Sequence, residues 1–483
     1  MKTHCYLNKS QIGNSLLRKF LSLSIFAIVF FAFSQRSFGQ TQTFNSTTTF
    51  VVPAGVTSVS VQAWGGGGGG GSTGSTSGDG RGGGGGGAYS GGTLTGLVPG
   101  ASLTITVGTG GPDGSSSSGN APSGGNTSVG TIVANGGQGG SNSGETGGAG
   151  GAASAISGAT TASFKGGNGG NGRDSNNGGG GGGSAPSTTT AGVNGSSTSG
   201  STGANGGNSP LTDPDGNGGR GADGDGSPAA TAGTSPGGGG GGKSDDASSG
   251  GDGAAGRVTL TWVCPTYNFN ATPTASPICV GSTATINVTG SVGNLPIGIY
   301  TVTYNRTNPT GTALTTTMTV STAGSGSFIT TAFTASGTIT ITNLNSSGCN
   351  SPISTNNVAS VTANPLPTPT FITQPSGSVC VGATSSYSTQ AGQSNYIWTI
   401  PGTLNTDYNI ISGGTTADAT LSVKWLTSGS KVVGIKYTSG GCAAASTVNS
   451  NSLTVNALPA VTFSAQPGAS ACVSIDVTYT TQA

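Results

Sequence analysis

The feature that most constrains this chain is a glycine tract that lies between two strand-like segments. Most of the 95 glycines fall between Trp64 and Trp262. Alternating apolar residues precede the tract at residues 56–64 and follow it at residues 257–262, as is typical of half-buried strands. Such strands cannot bury their apolar faces alone. The pattern therefore predicts one folded domain over residues 40–263, with the tract as a long insertion.

Inside the tract, glycine recurs in x-Gly-Gly triplets, for example at residues 135–140, 146–151 and 165–170. A three-residue period matches the polyproline-II helix, which makes no internal hydrogen bonds. Because glycine lets neighbouring chains approach closely, helices lying side by side could bond to each other. The pattern favours ordered polyglycine-II helices, and a solvated, disordered linker is the alternative.

The residues that most enzymes use for catalysis are nearly missing from the chain. Asp, Glu, Lys and Arg make up 6% of the residues, against roughly 25% in ordinary globular chains. Beyond residue 39 the sequence has no histidine and one glutamate, Glu145. Ser-His-Asp, Cys-His, His-bearing zinc and Glu-based glycosidase sites are therefore excluded, and only paired aspartates remain open. We predict a protein that is not an enzyme and has no cofactor.

The first 39 residues have the features of an export signal. A basic start precedes an apolar run at residues 20–33, which is shorter than the ~20 residues that span a bilayer. Small residues precede Gln40 at the two positions that signal cleavage requires. We expect a signal peptide at residues 1–39 and no membrane span after its removal. A retained membrane anchor is the alternative.

The net charge that remains after signal removal limits the kind of partner the protein can bind. Five of the 15 Lys and Arg residues lie in the signal, so ten remain against 14 Asp and Glu residues, a net charge of −4. Nucleic-acid binding needs a basic surface. We therefore expect no nucleic-acid partner, and a secreted or cell-surface protein.

A sequence repeat follows the glycine-rich domain. Short alternating strands separated by Gly, Pro and Asn turns predict β-sandwich modules. The phrase at residues 370–375 recurs 92 residues later, which is about the length of one sandwich domain. A third copy starts but is too short to bury a core, so we expect the sequence to be a fragment of a longer protein. The predicted units are residues 1–39, 40–263, 264–364, 365–456 and 457–483.

Six cysteines remain after signal removal, in what we expect to be an oxidising compartment. Each complete repeat contains two, which predicts two intradomain disulfides, Cys279–Cys349 and Cys380–Cys442. A bridge needs Cα atoms within ~7 Å. If the second pair lies at opposite ends of its sandwich, that bridge cannot form. The other two cysteines have no assigned partner: Cys264, and Cys472, whose partner we expect to be lost by truncation.

Two aspartate-containing motifs resemble calcium sites. Asp213 and Asp215 open a phrase like the first half of an EF-hand loop, but no flanking helices are predicted. Asp223 completes a Gly-Gly-x-Gly-x-Asp match to a calcium β-roll repeat, with Asp225 just beyond it. Such repeats work in tandem, and this one is isolated. Calcium at these aspartates is one expectation, and solvated turns between polyglycine helices are the other.

Residues 237–244 match the phosphate-loop pattern GxxxxGK[ST] literally. A phosphate loop also needs a hydrophobic strand before it and a helix after it. Neither is predicted here, so we interpret the match as a by-product of the glycine run.

Residues 41–262 resemble a glycine-rich domain of bacterial and phage surface proteins. The resemblance lies in residues 50–59, 63–68 and 86–89. It implies polyglycine-II helices bundled on a β scaffold. Related bundles serve receptor recognition in phage tail adhesins and ice binding in glycine-rich antifreeze proteins.

Residues 265–483 resemble the Ig-like or PKD-like modules of surface proteins that bacteria export by the type IX route. The resemblance rests on the Cys-Val-Gly phrase and on residues 396–400 and 440–442. The expected fold class is therefore all-β: an N-terminal β-sandwich with a glycine-rich insertion, then tandem Ig-like or PKD-like sandwiches.

Together these features predict a non-catalytic structural or adhesive protein, with a glycine-rich tip on a stalk of β-sandwich repeats. An extracellular glycan or protein is the expected ligand, with its identity open. One alternative is an accessory region of a secreted enzyme whose catalytic domain lies beyond residue 483. The other is an ice-binding protein, which needs a flat face of Thr, Ala and Gly.

Overall fold

The computed structural model describes residues 39–481 except for short internal segments, and the described chain is all-β. The predicted signal peptide, apart from Gly39, lies outside the described residues, as does Asp213. No helix in the described part of the chain is long and apolar enough to cross a membrane. The internal residues outside the description are 73–78, 115–118, 144, 152–159, 174–176, 212–214, 245, 247–248, 467, 469 and 471.

The scaffold around the glycine tract is a β-sandwich. One sheet has the strand order β1-β9-β3-β4-β8 and the other β2-β5-β6-β7. Apolar side chains from both sheets, among them Val61, Ile105 and Leu260, are fully buried between them. The strands are β1 (Gly39–Phe44), β2 (Thr48–Val51), β3 (Ser58–Trp64), β4 (Tyr89–Thr95), β5 (Ser102–Thr106), β6 (Thr127–Val129), β7 (Ile132–Ala134), β8 (Thr160–Phe164) and β9 (Arg257–Val263).

The two strands that bracket the glycine tract pair with each other. β3 and β9 are antiparallel, with Trp64 opposite Arg257 and Ser60 opposite Thr261. Burial alternates along both strands, so a one-residue slip would turn every apolar side chain to solvent. The predicted pairing is confirmed, and the tract leaves and re-enters the sheet at adjacent points.

The glycine tract forms a bundle of extended segments that hydrogen-bond sideways, as polyglycine-II helices do. Within the described residues, four central segments at 65–72, 79–88, 177–187 and 237–244 each bond to six neighbouring segments. The peripheral segments close a ring around them. These are residues 108–114, 120–126, 135–142, 145–151, 165–173, 191–198, 202–209, 215–223, 230–235 and 249–256.

Close packing of backbones explains the glycines. A Cβ added at Gly84, in a central segment, would lie 2.1 Å from the carbonyl oxygen of Gly68. With three residues per turn, a segment surrounded on all sides has no room for a side chain, and the middle of each central segment is all glycine: residues 65–71, 82–87, 178–183 and 237–242. Side chains such as Lys243 and Ser244 occur only toward the ends of these segments. A peripheral segment faces neighbours on two of its three sides and solvent on the third. The x-Gly-Gly triplet is the sequence pattern that this position requires.

The first repeat continues directly from the scaffold. Its main sheet has the order β10-β12-β15-β14-β13-β16-β17, with β18 also paired to β16, and β11 pairs with β19 in parallel. The strands are β10 (Ala271–Ala275), β11 (Ile278–Cys279), β12 (Thr285–Thr289), β13 (Gly298–Arg306), β14 (Gly311–Thr322), β15 (Ser325–Ile329), β16 (Gly337–Ser346), β17 (Cys349–Pro352), β18 (Val358–Val361) and β19 (Ala363–Asn364).

Scaffold and first repeat share one hydrophobic core. The buried hydroxyl of Tyr267 donates to the carbonyl of Ala54 at 2.9 Å, and the amide of Ala54 donates to Ser346 Oγ at 2.8 Å. Because these polar groups are buried and paired, separating the two units would cost hydrogen bonds as well as apolar contact. The scaffold that carries the bundle is therefore held to the first repeat by both packing and buried hydrogen bonds.

The second repeat has its own core around Tyr387, Val423 and Trp425. Its sheets have the orders β20-β22-β25-β24, β21-β30-β26 and β23-β27-β28, with β29 also paired to β27, and β31 pairs with β32 beyond it. The strands are β20 (Phe371–Thr373), β21 (Ser378–Cys380), β22 (Thr384–Thr389), β23 (Ser394–Thr399), β24 (Tyr408–Gly413), β25 (Thr420–Trp425), β26 (Gly429–Lys431), β27 (Gly434–Ser439), β28 (Cys442–Ala443), β29 (Val448–Asn449), β30 (Leu453–Asn456), β31 (Phe463–Ala465) and β32 (Thr480–Thr481).

The disulfides differ from the predicted ones. Cys264 bonds to Cys349 with a Cα–Cα distance of 5.2 Å, and Cys279 bonds to Cys442 at 5.5 Å. Cys380 is a free, exposed thiol. The predicted pairs Cys279–Cys349 and Cys380–Cys442 are therefore wrong.

The reason is that the two cysteines of a repeat lie at different ends of it. Cys349 lies at the scaffold end, where Trp262 Nε1 donates to its Sγ at 3.3 Å. Cys279 lies at the seam with the second repeat, where its Sγ is 3.8 Å from the carbonyl oxygen of Gly441. The Cys264–Cys349 bridge thus lies at the junction of the scaffold with the first repeat, and the Cys279–Cys442 bridge joins the two repeats.

Candidate functional site

The peripheral segments of the bundle present a regular set of side chains to solvent. Three of these segments, at residues 145–151, 165–173 and 191–198, lie side by side in sequence order: Gly169 N donates to Gly148 O, and Gly195 N donates to Asn168 O, both at 2.8 Å. The side chains at their outward positions form what we call the asparagine face. Its members are Asn168, Asn171, Asn194 and Ser197, all exposed.

The asparagine face is held in place by hydrogen bonds to the backbone. Asn168 Oδ1 accepts from the amide of Gly150, and the amide of Asn168 donates to Asn194 Oδ1, both at 2.9 Å. One turn further along, Asn171 Oδ1 accepts from Gly147, and the amide of Asn171 donates to Ser197 Oγ, both at 3.0 Å. The face therefore consists of two parallel rows that cross the three segments.

These bonds meet a need created at the edge of the bundle. An outward-facing amide on a peripheral segment has no neighbouring backbone to accept it, and an amide without a partner is costly. An asparagine or serine on the next segment supplies the acceptor. Successive rows lie about 9 Å apart, because three residues of such a helix rise ~3.1 Å each. Order at the face is thus a by-product of satisfying the backbone.

The chemistry that remains available on the asparagine face is hydrogen-bond donation. The Oδ1 atoms of Asn168, Asn171 and Asn194 are used inside the bundle, while no described residue accepts from their Nδ2 atoms. Lys165, also exposed, adds a positive charge at the end of the middle segment. The array suits an acceptor-rich, polar ligand better than an apolar one.

The structure separates the aspartates predicted for calcium. Asp215 forms an ion pair with Arg257 at 2.9 Å, and Arg257 lies over the Trp64 ring at the scaffold end of the bundle. Asp223 lies eight residues further along the same extended segment, about 25 Å away at ~3.1 Å per residue. One ion cannot contact both. No group of three or more His, Cys, Asp or Glu side chains in the described chain could hold a metal ion.

Asp223 and Asp225 already have local partners. Asp223 accepts from the amide of Gly203 and pairs with Arg220. Burial alone would raise the pKa of Asp223, but these hydrogen bonds and the Arg220 charge outweigh it and lower the pKa below its ordinary value. Asp225 Oδ1 accepts from the amide of Ser227 at 3.1 Å. Both carboxylates act as turn and edge partners.

The phosphate-loop match belongs to the centre of the bundle. Residues 237–244 form one of the four central segments, and both Lys243 and Ser244 are buried. The amide of Lys243 donates to the carbonyl of Gly71 at 3.1 Å, and the amide of Gly242 donates to Gly180. These amides bond to neighbouring segments, so they are not arranged around an anion. The glycines here serve backbone packing.

The asparagine face escaped prediction from the sequence, although its signal was present. The triplets at residues 165–170 place Asn168 at a repeat position, and Asn171 follows at the same spacing. What the sequence did not tell was which segments lie side by side. A search for asparagine at the non-glycine position of successive triplets would have found it.

The fold and its surface define a polyglycine-II bundle on a β-sandwich, followed by tandem β-sandwich repeats. Residues 42–263 match the model of a family described as a glycine-rich domain. That match covers the sandwich and its bundle. A search among the curated proteins gave no match to the chain.

Solved structures with some similarity belong to tandem β-sandwich proteins. The I9–I11 tandem of titin is 12% identical, with 43% of this chain and 80% of that one covered and a TM-score of 0.23. Murine CEACAM1b is 14% identical, with 39% and 99% covered and a TM-score of 0.18. InvD of Yersinia pseudotuberculosis is 18% identical, with 43% and 65% covered and a TM-score of 0.16. Likeness at these TM-scores carries no argument about function.

Proposed function

We propose that this chain is a non-catalytic structural or adhesive protein of the cell surface, in which the glycine bundle is the contact tip and the repeats are its stalk. The observation that carries the proposal is that the scaffold of the bundle and the repeats are joined by a shared core and by a disulfide. The scaffold and the first repeat share a core, and a disulfide joins the first repeat to the second. A contact domain that is firmly joined to its supporting repeats is what a surface attachment protein needs.

The two disulfides support an extracellular location, because disulfides form and persist in oxidising compartments. The export signal at residues 1–39 and the type IX route are finer parts of the proposal. They rest on the basic and apolar pattern of that segment and on the resemblance of the repeats. Secreted protein that begins at Gln40 on N-terminal sequencing would support the signal, and protein retained in the cell would count against it.

The asparagine face is the proposed contact surface, with a glycan or another acceptor-rich polymer as the ligand class. Its donors lie in ordered rows, so binding would cost little side-chain entropy. The rows contain asparagine, serine and a nearby lysine in place of the Thr, Ala and Gly expected of an ice-binding face. For that reason we favour a polar biological surface over ice.

Attachment of the whole protein tests the proposal. Beads coated with the full chain are incubated with a glycan array, glass and cultured cells, and bound beads are counted after washing. We expect retention on at least one surface, well above that of uncoated beads. A chain that adheres to none of them would overturn the adhesive function.

A matched pair of variants tests the asparagine face. In Asn168→Asp the new carboxylate still accepts from Gly150, so the bundle stays intact while a donor is lost and a charge is gained. Gln138→Glu makes the same charge change on an exposed residue of another peripheral segment. We expect several-fold weaker attachment for the first variant and no change for the second. Equal effects would exclude this face as the contact surface.

A further inference from the structure

The two repeats are joined by a disulfide whose two halves occupy recognisable positions. Cys279 belongs to the Cys-Val-Gly phrase at the start of the first repeat, and its strand β11 pairs in parallel with β19 at the end of that repeat. Cys442 belongs to a hairpin of the second repeat, in which β27 and β28 place it opposite Ser439. The bond therefore runs from the seam of one repeat to the hairpin of the next.

Cys380 occupies the same position in the second repeat as Cys279 in the first. It too begins a Cys-Val-Gly phrase. Cys279 lies opposite Asn364 in a parallel pair, and Cys380 lies opposite Asn456 in a parallel pair.

Backbone hydrogen bonds around the two cysteines match as well. Val280 N donates to Asn364 O, and Val381 N donates to Asn456 O, both at 2.9 Å. The next turn is the same, since the amide three residues after each cysteine donates to the cysteine carbonyl. Cys380 therefore lies at the end of the second repeat in the same way as Cys279 lies at the seam between the two repeats. Unlike Cys279, Cys380 is a free, exposed thiol.

The hairpin cysteines also follow one rule. Cys349 lies opposite Ser346 across the β16–β17 turn, as Cys442 lies opposite Ser439. Each bonds to a cysteine at the junction with the preceding unit, Cys349 to Cys264 next to the scaffold and Cys442 to Cys279 at the seam with the first repeat. Each repeat thus uses its hairpin cysteine to bond backward along the chain.

The residues after Asn456 begin a further repeat in register. Phe463 lies opposite Thr481, as Phe371 lies opposite Thr389 in the second repeat. Large apolar side chains of this segment are exposed, including Leu458 at 62% and Val461 at 81%. The first strands of a sandwich pair with each other but leave their apolar side chains exposed until the remaining strands cover them. The residues after Asn456 have this arrangement.

We infer that Cys380 is the attachment point for the hairpin cysteine of a following repeat, so that each seam of the stalk is closed by one disulfide. The two thiols lose their hydrogens and form one Sγ–Sγ bond, while the disulfide of a thiol–disulfide oxidant, such as oxidised glutathione, accepts two electrons and both protons and becomes two thiols. The inference does not depend on what the bundle binds.

A tandem extension tests this connectivity with the chain's own sequence. Residues 1–456 are followed by a second copy of residues 365–456, in which Cys380→Ser removes the extra thiol and Ala443→Ser marks the hairpin by mass. After oxidation with glutathione and non-reducing digestion, mass spectrometry identifies the linked peptides. We expect Cys380 linked to the marked hairpin, with the Cys279–Cys442 bond retained.

The control extension carries Cys442→Ser in the added copy and should leave Cys380 open to alkylation by N-ethylmaleimide. Protease resistance of the added copy in both extensions verifies that it folds. Cys380 that stays alkylatable in a folded tandem, or that bonds within its own repeat, would overturn the inference. A disulfide between the Cys380 residues of two 483-residue chains in the native protein would overturn it in favour of a second copy as partner.

Discussion

Replacing one central glycine by alanine is expected to destabilise the bundle through backbone packing alone. In Gly84→Ala the new Cβ would lie 2.1 Å from the oxygen and 2.6 Å from the carbon of the Gly68 carbonyl. Real Cβ contacts of this kind do not fall below about 3 Å, so the segments at 65–72 and 79–88 must separate. The backbone conformation at Gly84 itself suits any residue, so strain at the substituted residue is not the cause.

The size of the effect follows from the contacts that must yield. Overpacking costs about 1–3 kcal/mol. Separation also stretches hydrogen bonds such as those from Gly84 to Gly240 and from Gly183 to Gly84, both 2.8 Å, at about 1 kcal/mol each. Alanine leaves the unfolded chain less conformational freedom than glycine does, and this offsets about 0.4–1 kcal/mol of the destabilisation. We expect a net loss of about 2–4 kcal/mol, which lowers the melting temperature of a domain of this size by about 5–15 °C.

Calorimetry on the full chain measures the shift, and amide exchange at residues 79–88 locates it. Gly200→Ala is the matched control, because an added Cβ there meets nothing within 4 Å. We expect this control to melt at or slightly above the native temperature. If Gly84→Ala melts within a degree of Gly200→Ala, close backbone packing is not what requires glycine in the bundle.

Three further outcomes follow from the contacts described. Asn168→Ala leaves the amide of Gly150 without its acceptor and should cost about 1 kcal/mol, seen as faster exchange of that amide; unchanged exchange would contradict the role of the face in bundle order. Joint replacement of Cys279 and Cys442 by serine should lower stability by about 2–4 kcal/mol and expose the seam to proteases, and equal protease resistance would show that packing alone holds the repeats together. The pKa of Asp407 is held below its ordinary 3.8, chiefly by the amide of Thr403 and also by a hydroxyl group. The ionised carboxylate of Asp407 therefore stabilises the fold above pH 3.8, and this stabilisation is lost as the pH falls through the lower folded pKa. Melting curves of Asp407→Asn should lack part of this acid-induced loss, and pH profiles identical to those of the native protein would refute the prediction.

The outline of the fold was predictable because it depends on periodicity. Alternation in the strands around Val61 and Leu260 identified two half-buried strands, and each needed a partner. The triplets favoured polyglycine-II helices over a disordered linker, because three residues per turn with glycine on two sides suits side-by-side packing. Both arguments use neighbours along the chain, which the sequence states directly.

The disulfides and the asparagine face were not predictable in the same way. Counting two cysteines per repeat suggested a bond within each repeat, but the count says nothing about which end of the sandwich each cysteine occupies. Cys279 and Cys349 lie at opposite ends, so each bonds across a seam. Likewise, the acceptors for Gly150 and Gly147 come from a segment about twenty residues away, and only the lattice of the bundle brings them together.

The bridge between the repeats also sets how far the chain can lengthen under tension. The shortest covalent path from Cys264 to Cys442 follows the backbone only to Cys279 and then crosses the disulfide. Pulled taut, that path reaches about 60 Å, whereas the reduced chain, once its repeats unfold, would reach about 640 Å, since each residue spans at most ~3.6 Å. A pulling force on the bundle is therefore transmitted through the disulfide. Most strands of the two repeats lie outside this path and carry none of the force. Reduction would turn a nearly inextensible tether into a long, compliant one.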